Sequence, residues 1–302
     1  MAHGVVLAAS GDRLGAVASS TTARLLAASP DRPGIIAAVT AFVAGHGGNI
    51  VDLQQHTDRG ESAFFLRVEV DLADLDLPRE KIAPAFAPVA ERFAMRWRLG
   101  FSDHRPRVGL LASREPHCVH DLLHRWRGGE LAIEVPVLIS NHADHAAAAE
   151  WFGVEHHHLP IVDGDKAGQE ARVREVLRAH GIELVVLARY MQVLSPELCD
   201  EWAGRIINIH HSFLPSFQGA RPYHQAHERG VKLIGVTAHY ATAALDDGPI
   251  IDQDVIRVSH RDDVHDLRRK GRDLETTVLA RAVRAHVDDR TLIYGRRTVV
   301  FD

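Results

Sequence analysis

Arg205-Ile206-Ile207-Asn208-Ile209-His210-His211-Ser212-Phe213-Leu214-Pro215-Ser216-Phe217-Gln218-Gly219 is the stretch on which the fold turns. A short apolar run carries Asn208 and His210 at alternate positions, then breaks at Pro215 and Gly219. Residues two apart on a strand point the same way, so the amide and the imidazole leave one face together. Two readings fit this pattern. One is an active-site strand end beside a loop; the other is a buried strand whose Asn and His bond a neighbouring loop. The surrounding chain has to decide.

Upstream, short apolar runs alternate with amphipathic segments. Val108–Ala112, Leu131–Ile139, Leu159–Val162 and Leu184–Leu187 read as strands. His117–Trp126, Gln169–His180 and Pro196–Trp202 read as helices. Downstream come a helix over Pro222–Arg229 and a strand over Leu233–Tyr240. A loop with Asp246-Asp247-Gly248-Pro249, a strand over Ile250–Val258 and a long helix over Asp263–His286 follow. Thr291–Phe301 closes as strand-like sequence. Such alternation predicts parallel strands with crossover helices, a Rossmann-like mostly parallel sheet. Sites in these sheets lie beyond the carboxyl ends of the strands, where Asn208 and His210 fall. Position therefore favours the functional reading.

Residues 21–102 have a different rhythm. Arg24–Ala28 reads as a strand, and Pro30-Asp31-Arg32-Pro33-Gly34 as a turn. A helix follows, with Ile35, Val39, Phe42 and His46 on one face and Gly47-Gly48 at its end. Asn49–Leu53 and Ala63–Val70 are strands; in the second, Phe64, Leu66, Val68 and Val70 form one strongly apolar face. Ile82, Phe86, Val89 and Phe93 recur at helical spacing, and Met95–Phe101 alternates again. The order β-α-β-β-α-β is the ferredoxin-like arrangement. Ser102–Pro106 is a polar joint, so residues 105–302 form the second domain.

Composition removes several classes of function. A net charge of −5 without any Lys/Arg-dense segment offers no footprint for nucleic acid. Two distant cysteines, Cys118 and Cys199, suit a reducing compartment. Residues 1–20 are rich in small side chains but lack a basic n-region, and Asp12-Arg13 interrupts any apolar core. They are read as a disordered extension. No stretch approaches the roughly 20 apolar residues of a membrane span, so a cytoplasmic protein is expected. The 21 histidines invite a metal reading, above all at His156-His157-His158. With no HExxH and no acidic or Cys partner at ligand spacing, these are expected to be surface or supporting histidines, and no metal is expected. No G-x-G-x-x-G follows the first strand of the second domain, which argues against a dinucleotide.

Asn208, His210 and Asp246 could meet at the sheet edge. No Ser sits in G-x-S-x-G and no Cys lies near His210, so no covalent nucleophile is signalled. An amide and an imidazole that hold an oxyanion, with a carboxylate that moves protons, suit direct acyl transfer to an external acceptor.

Here the chain resembles a known family. Asn208-Ile209-His210-x-Ser212-x-Leu214-Pro215, with Leu245-Asp246-x-Gly248-Pro249, resembles the signature of the formyltetrahydrofolate-dependent formyltransferase fold. The resemblance implies that Asn208, His210 and Asp246 are catalytic. Leu187–Leu194 is similar to that family's folate-contacting strand end, which implies Met191, Gln192, Val193 and Leu194 beside the pterin. Thr242, Ala243, Ala244 and Leu245 correspond to the opposite wall. The first unit resembles an ACT domain at Asp31-Arg32-Pro33-Gly34-Ile35 and Gly47-Gly48-Asn49-Ile50. That likeness implies pairing between copies and an amino-acid effector, glycine or methionine, at Asp31, Arg32, Gly34, Gly48 and Asn49.

The two units in this order resemble the 10-formyltetrahydrofolate deformylase family over residues 22–302. Gly219-Ala220-Arg221-Pro222-Tyr223-His224-Gln225-Ala226, Gly271-Arg272-Asp273-Leu274-Glu275 and Tyr294–Thr298 add to that match. The implied reaction is hydrolysis of 10-formyltetrahydrofolate to formate and tetrahydrofolate, which supplies formate for purine biosynthesis. It implies no permanently bound cofactor and a homo-oligomer, dimer or tetramer. The alternative is formyl transfer to an amine such as glycinamide ribonucleotide, whose enzymes resemble this domain but hold the substrate phosphate in a Gly- and Ser-rich loop. Here Ser113–Cys118 lacks those glycines, and Glu115 would oppose a phosphate. Water is the expected acceptor.

Overall fold

The computed structural model describes residues 21–216 and 222–302. The expected extension at 1–20 and the Gly219-Ala220-Arg221 part of the motif lie outside the described residues. The first unit runs β1 (Thr22–Pro30), α1 (Ile35–Gly45), β2 (Asn49–Asp58), β3 (Ala63–Asp71), α2 (Arg79–Arg92) and β4 (Arg96–Phe101). Its antiparallel sheet has the order β2-β3-β1-β4, the ferredoxin-like arrangement expected. Ile35, Val39 and Val43 of α1 and Ile82, Phe86 and Ala90 of α2 are buried. The core beneath these helices is lined by Leu25, Leu66, Val68 and Val70. His46 keeps its ring against Phe42, with centroids 5.0 Å apart, and also bonds Asp76 at 2.8 Å.

One expectation for this unit changes. β3 does not have a single apolar face: Phe65 and Arg67, on its other side, are as buried as Leu66 and Val68. The cover is a C-terminal hairpin of β12 (Thr291–Tyr294) and β13 (Arg297–Val300). Phe301, Leu292, Tyr294 and Val299 pack there against Leu26, Ala28 and Phe65. Arg67 is tolerated because its guanidinium is matched, by Asp52 and Glu69 at 2.7 Å each and by the carbonyl of Asp289 at 3.0 Å.

The second unit contains β5 (Arg107–Ala112), α3 (His117–Arg127), β6 (Glu134–Ser140), α4 (Ala146–Phe152) and β7 (Glu155–His158). It continues through α5 (Lys166–Ala179), β8 (Leu184–Leu187), α6 (Pro196–Glu201), β9 (Ile206–His210) and α7 (Pro222–Glu228). It ends in β10 (Leu233–Tyr240), β11 (Ile250–Arg257), α8 (Val264–Val287) and the hairpin. Among the described residues its large sheet has the order β11-β10-β9-β8-β5-β6-β7. From β9 to β7 the pairs are parallel, and β10 and β11 are antiparallel additions at one edge. Layers on both faces account for the uninterrupted Leu-Val-Val-Leu of β8: Leu184 and Val186 join one core, Val185 and Leu187 the other.

Local signals set several helix starts. Asp263 and Asp266 close a capping box on α8, and Ser195 caps α6 ahead of Pro196. The strand expected at Leu159–Val162 is not formed. The edge strand is β7, Glu155–His158, four polar residues that pair with Val137–Ser140. Pro160 has no N–H to continue that ladder, and an edge strand needs no apolar run to form.

Candidate active site

The carboxyl ends of β8 and β9 and the antiparallel β10 converge on one cavity of about 390 Å³. Asn208 and His210 share one face of β9, as their spacing predicts. Asn208 pairs across the sheet with His239 of β10. The turn after β9 is held from beneath by buried Thr237, whose hydroxyl donates to the Ser212 carbonyl and accepts from Leu214 N–H.

Asp246 arrives from the loop after β10. Its φ of +54° lies in the left-handed region, which a non-glycine residue adopts only when its surroundings impose it. The imposition is visible at Gly248, where a Cβ would lie 1.7 Å from the Tyr240 carbonyl oxygen. The loop can fold this tightly onto β10 only with glycine there. Asp246 Oδ1 comes to 3.2 Å from His210 Nδ1 and 3.9 Å from His239 Nε2. Burial raises the pKa of this carboxyl, but His210, through a hydrogen bond and charge, outweighs it with help from His239 and His211. The net pKa lies below the ordinary carboxylate value. Asp246 is therefore ionised at neutral pH.

His239 was not singled out from sequence. Its Nδ1 lies 3.0 Å from the Tyr240 carbonyl, which can only accept, so the proton sits on Nδ1. Nε2 is then an acceptor for the Asn208 amide N–H at 3.1 Å. This fixes which way the Asn208 amide faces. Burial holds the His239 pKa below the usual histidine range and keeps the ring neutral. A signal was present: Thr237 and His239 alternate in an apolar strand just as Asn208 and His210 do.

His210 Nε2 is buried without a hydrogen-bond partner, and His210 lines the cavity. Met191, Gln192, Val193 and Leu194 form one wall and Thr242, Ala244 and Leu245 the other; Ala243 is not part of the lining. Leu194 is also core, whereas Met191, Val193 and Leu245 are 56%, 49% and 63% exposed, an unusual concentration of bare apolar surface. Met191 N–H donates to Ser113 Oγ, which in turn donates to Asn141 Oδ1, so the first wall is pinned to β5.

Arg189 and His211 line both this cavity and a smaller one of about 220 Å³. Arg189 is a second left-handed non-glycine residue, with φ +64°. Its Nε approaches Glu275 Oε2 at 3.3 Å, while Nη1 has no partner. Glu275 is almost fully buried and also meets His117 Nε2 at 2.7 Å and Tyr223 Oη at 2.8 Å. Burial raises its pKa, and His117 with Arg189 brings it below the usual value. Gly271 makes room for this packing, since a Cβ there would meet the Tyr223 hydroxyl at 1.9 Å. Burial, with the Arg189 charge, pushes His211 down to about 3, so it is neutral. Cys118 is fully buried, and burial raises its thiol pKa far above the usual value, as suits a packing residue. Glu115 is paired with Arg272 at 2.8 Å.

Two expectations change here. Asp31, Arg32 and Gly34 precede α1, whereas Gly48 and Asn49 follow it. Eleven helical residues hold the two groups roughly 16 Å apart, so one chain does not assemble them into a single site. Gly34 is needed at φ +92°, and a Cβ on Gly48 would crowd Leu75 and Val43. Second, the histidine run does have an acidic partner: Glu155 lies two residues before His157 on one strand face and bonds it at 2.7 Å.

A formyl transferase family profile matches residues 106–283, and an ACT domain profile matches residues 23–85. A formyltetrahydrofolate deformylase from Synechocystis sp. is 52% identical over 280 residues, 93% of this chain and 98% of that protein. The crystal structure of a formyltetrahydrofolate deformylase from Pseudomonas syringae pv. tomato superposes with a TM-score of 0.93 at 49% identity, covering 95% of this chain and 96% of that one. A glycinamide ribonucleotide transformylase from Symbiobacterium toebii, at 35% identity and a TM-score of 0.64, covers 98% of its own length but only 68% of this chain. Likeness that runs through both units distinguishes the first two from the third. This chain belongs to the formyltetrahydrofolate deformylase family.

Proposed function

We propose that this chain hydrolyses 10-formyltetrahydrofolate to formate and tetrahydrofolate. The observation that carries the reading is the His210–Asp246 pair at 3.2 Å, set on the wall of an apolar-lined cavity, with His210 Nε2 left without a partner. The pterin lies between the 191–194 wall and the 242–246 loop. The formyl oxygen takes hydrogen bonds from the Asn208 amide and from His210 at Nε2. Ionised Asp246 orients a water and accepts its proton as the oxygen bonds to the formyl carbon. The C–N10 bond then breaks, and the proton passes to the departing N10 amine, leaving formic acid, which ionises to formate. A positioned base contributes about 10²–10⁴-fold and one oxyanion donor about 10²–10³-fold.

Water is favoured over an amine acceptor by the neighbouring region. The loop Ser113–Cys118 lacks the glycines that would wrap a phosphate, and its Glu115 already occupies Arg272 at 2.8 Å. Purified enzyme given 10-formyltetrahydrofolate alone is expected to release formate; consumption that required glycinamide ribonucleotide would overturn the reading.

The ACT unit is read as a regulatory and pairing domain. Because Asp31, Arg32 and Gly34 are separated from Gly48 and Asn49 within one chain, an effector such as glycine or methionine would touch both groups only across paired units. An even-numbered homo-oligomer follows from that reading.

A further inference from the structure

We propose that Glu155, His157 and His180 form a binding site for a divalent transition ion of the zinc class, on the far edge of the large sheet from the active site. Glu155 and His157 alternate on edge strand β7, and His180 caps the carboxyl end of α5. His157 Nε2 lies 2.7 Å from one Glu155 oxygen and His180 Nε2 lies 3.1 Å from the other. The two rings stand nearly perpendicular, 81° apart, with centroids separated by 5.8 Å.

The decisive contact is on the opposite side of His180. Its Nδ1 lies 2.8 Å from the carbonyl of Val176, which can only accept. The ring proton of neutral His180 therefore sits on Nδ1, and a bare Nε2 lone pair faces a carboxylate oxygen. Two acceptors 3.1 Å apart repel unless a cation lies between them. A ligating histidine in metalloproteins is held in this same way, its second nitrogen donating to a backbone carbonyl so that the first points at the metal. A proton on each Nε2 would also bridge the two rings to the two Glu155 oxygens, and titration with Zn²⁺ separates the two cases.

The electrostatics and donor set agree. The carboxyl end of a 14-residue helix carries partial negative charge that favours a cation. Two imidazoles and a carboxylate are a donor set zinc accepts, with the fourth position left to water; magnesium and calcium prefer oxygen ligands alone. Bonds of about 2.0–2.2 Å suit donors already gathered within 4.8 Å of one another. His157 and His180 side chains are 27% and 18% exposed and Glu155 58%, so the ion can enter from solvent. A bound ion would clip α5 to β7, an edge strand that pairs with β6.

The test is calorimetric titration of the chelator-stripped full chain with Zn²⁺, alongside His157→Gln and His180→Gln. The expected result is one site that weakens by at least tenfold, or is lost, in each variant, with Mg²⁺ giving no binding there. Formate release should be unchanged in both variants. Absence of a Zn²⁺ site in the parent chain, or Zn²⁺ binding in both variants as in the parent, would overturn the assignment.

Discussion

Arg189 and His211 stand between two groups of polar side chains that are finished differently. In the larger cavity, His210 Nε2 is buried with no partner, and exposed Met191, Val193 and Leu245 share the lining. On the other side, His117, Tyr223 and Arg189 close on the one carboxylate of Glu275. A buried polar atom without a partner costs about 1–3 kcal/mol, and a ligand in the cavity would supply the bond that His210 Nε2 lacks. The matched carboxylate, by contrast, works as a structural support. The difference teaches that the larger cavity offers an open imidazole nitrogen to a ligand, whereas the carboxylate beyond Arg189 is already matched.

The largest break in this contrast should come from Asp246→Asn. Isosteric loss of the base is expected to lower formate release by about 10²–10⁴-fold with circular dichroism unchanged. Turnover near the parent value would remove Asp246 from the proton path. Glu275→Ala should do the reverse. It leaves Arg189 and His117 facing a buried gap, and an expected loss of about 3–5 kcal/mol would appear in denaturant unfolding. If Glu275→Ala instead abolished turnover while stability held, the two sides would not be functionally distinct.

Acid provides a finer test. His211 is held down to about 3 and His239 also below the ordinary 6.5, so the folded rings refuse protons that the unfolded chain accepts. Stability should therefore fall as pH drops from 6.5 towards 3, by up to about 1.4 kcal/mol per pH unit for His211. Asp246 has the depressed carboxylate sign: its contribution is complete above 3.8 and is lost only as pH falls through its lower folded value. His211→Asn should flatten the slope between pH 6 and 4, and an unchanged slope would show that His211 titrates freely in the folded protein.

The sheet and the Asn208/His210 pair were legible because both depend on local periodicity. Alternation in β9 puts the two side chains on one face whatever the neighbours are, and Leu-Val-Val-Leu in β8 demands cover on both sides. What could not be read depends on distant partners. The burial of Arg67 has no local signal, because the hairpin that covers it lies more than two hundred positions later. The polar edge strand Glu155–His158 carries no apolar pattern, so the sequence predicts a strand only at the apolar run that follows, Leu159–Val162. His239 showed the same alternation as His210, yet its purpose appears only when β10 pairs with β9 and sets it opposite Asn208. Glu275 stood within a recognised motif, but its three partners come from α3, α7 and the end of β8.

The most direct measurement is the stoichiometry of formate and tetrahydrofolate released from 10-formyltetrahydrofolate by the purified chain with no amine present. The structure predicts one formate for each tetrahydrofolate, with a rate indifferent to added glycinamide ribonucleotide. No formate without an amine, and formylated amine with it, would contradict the account.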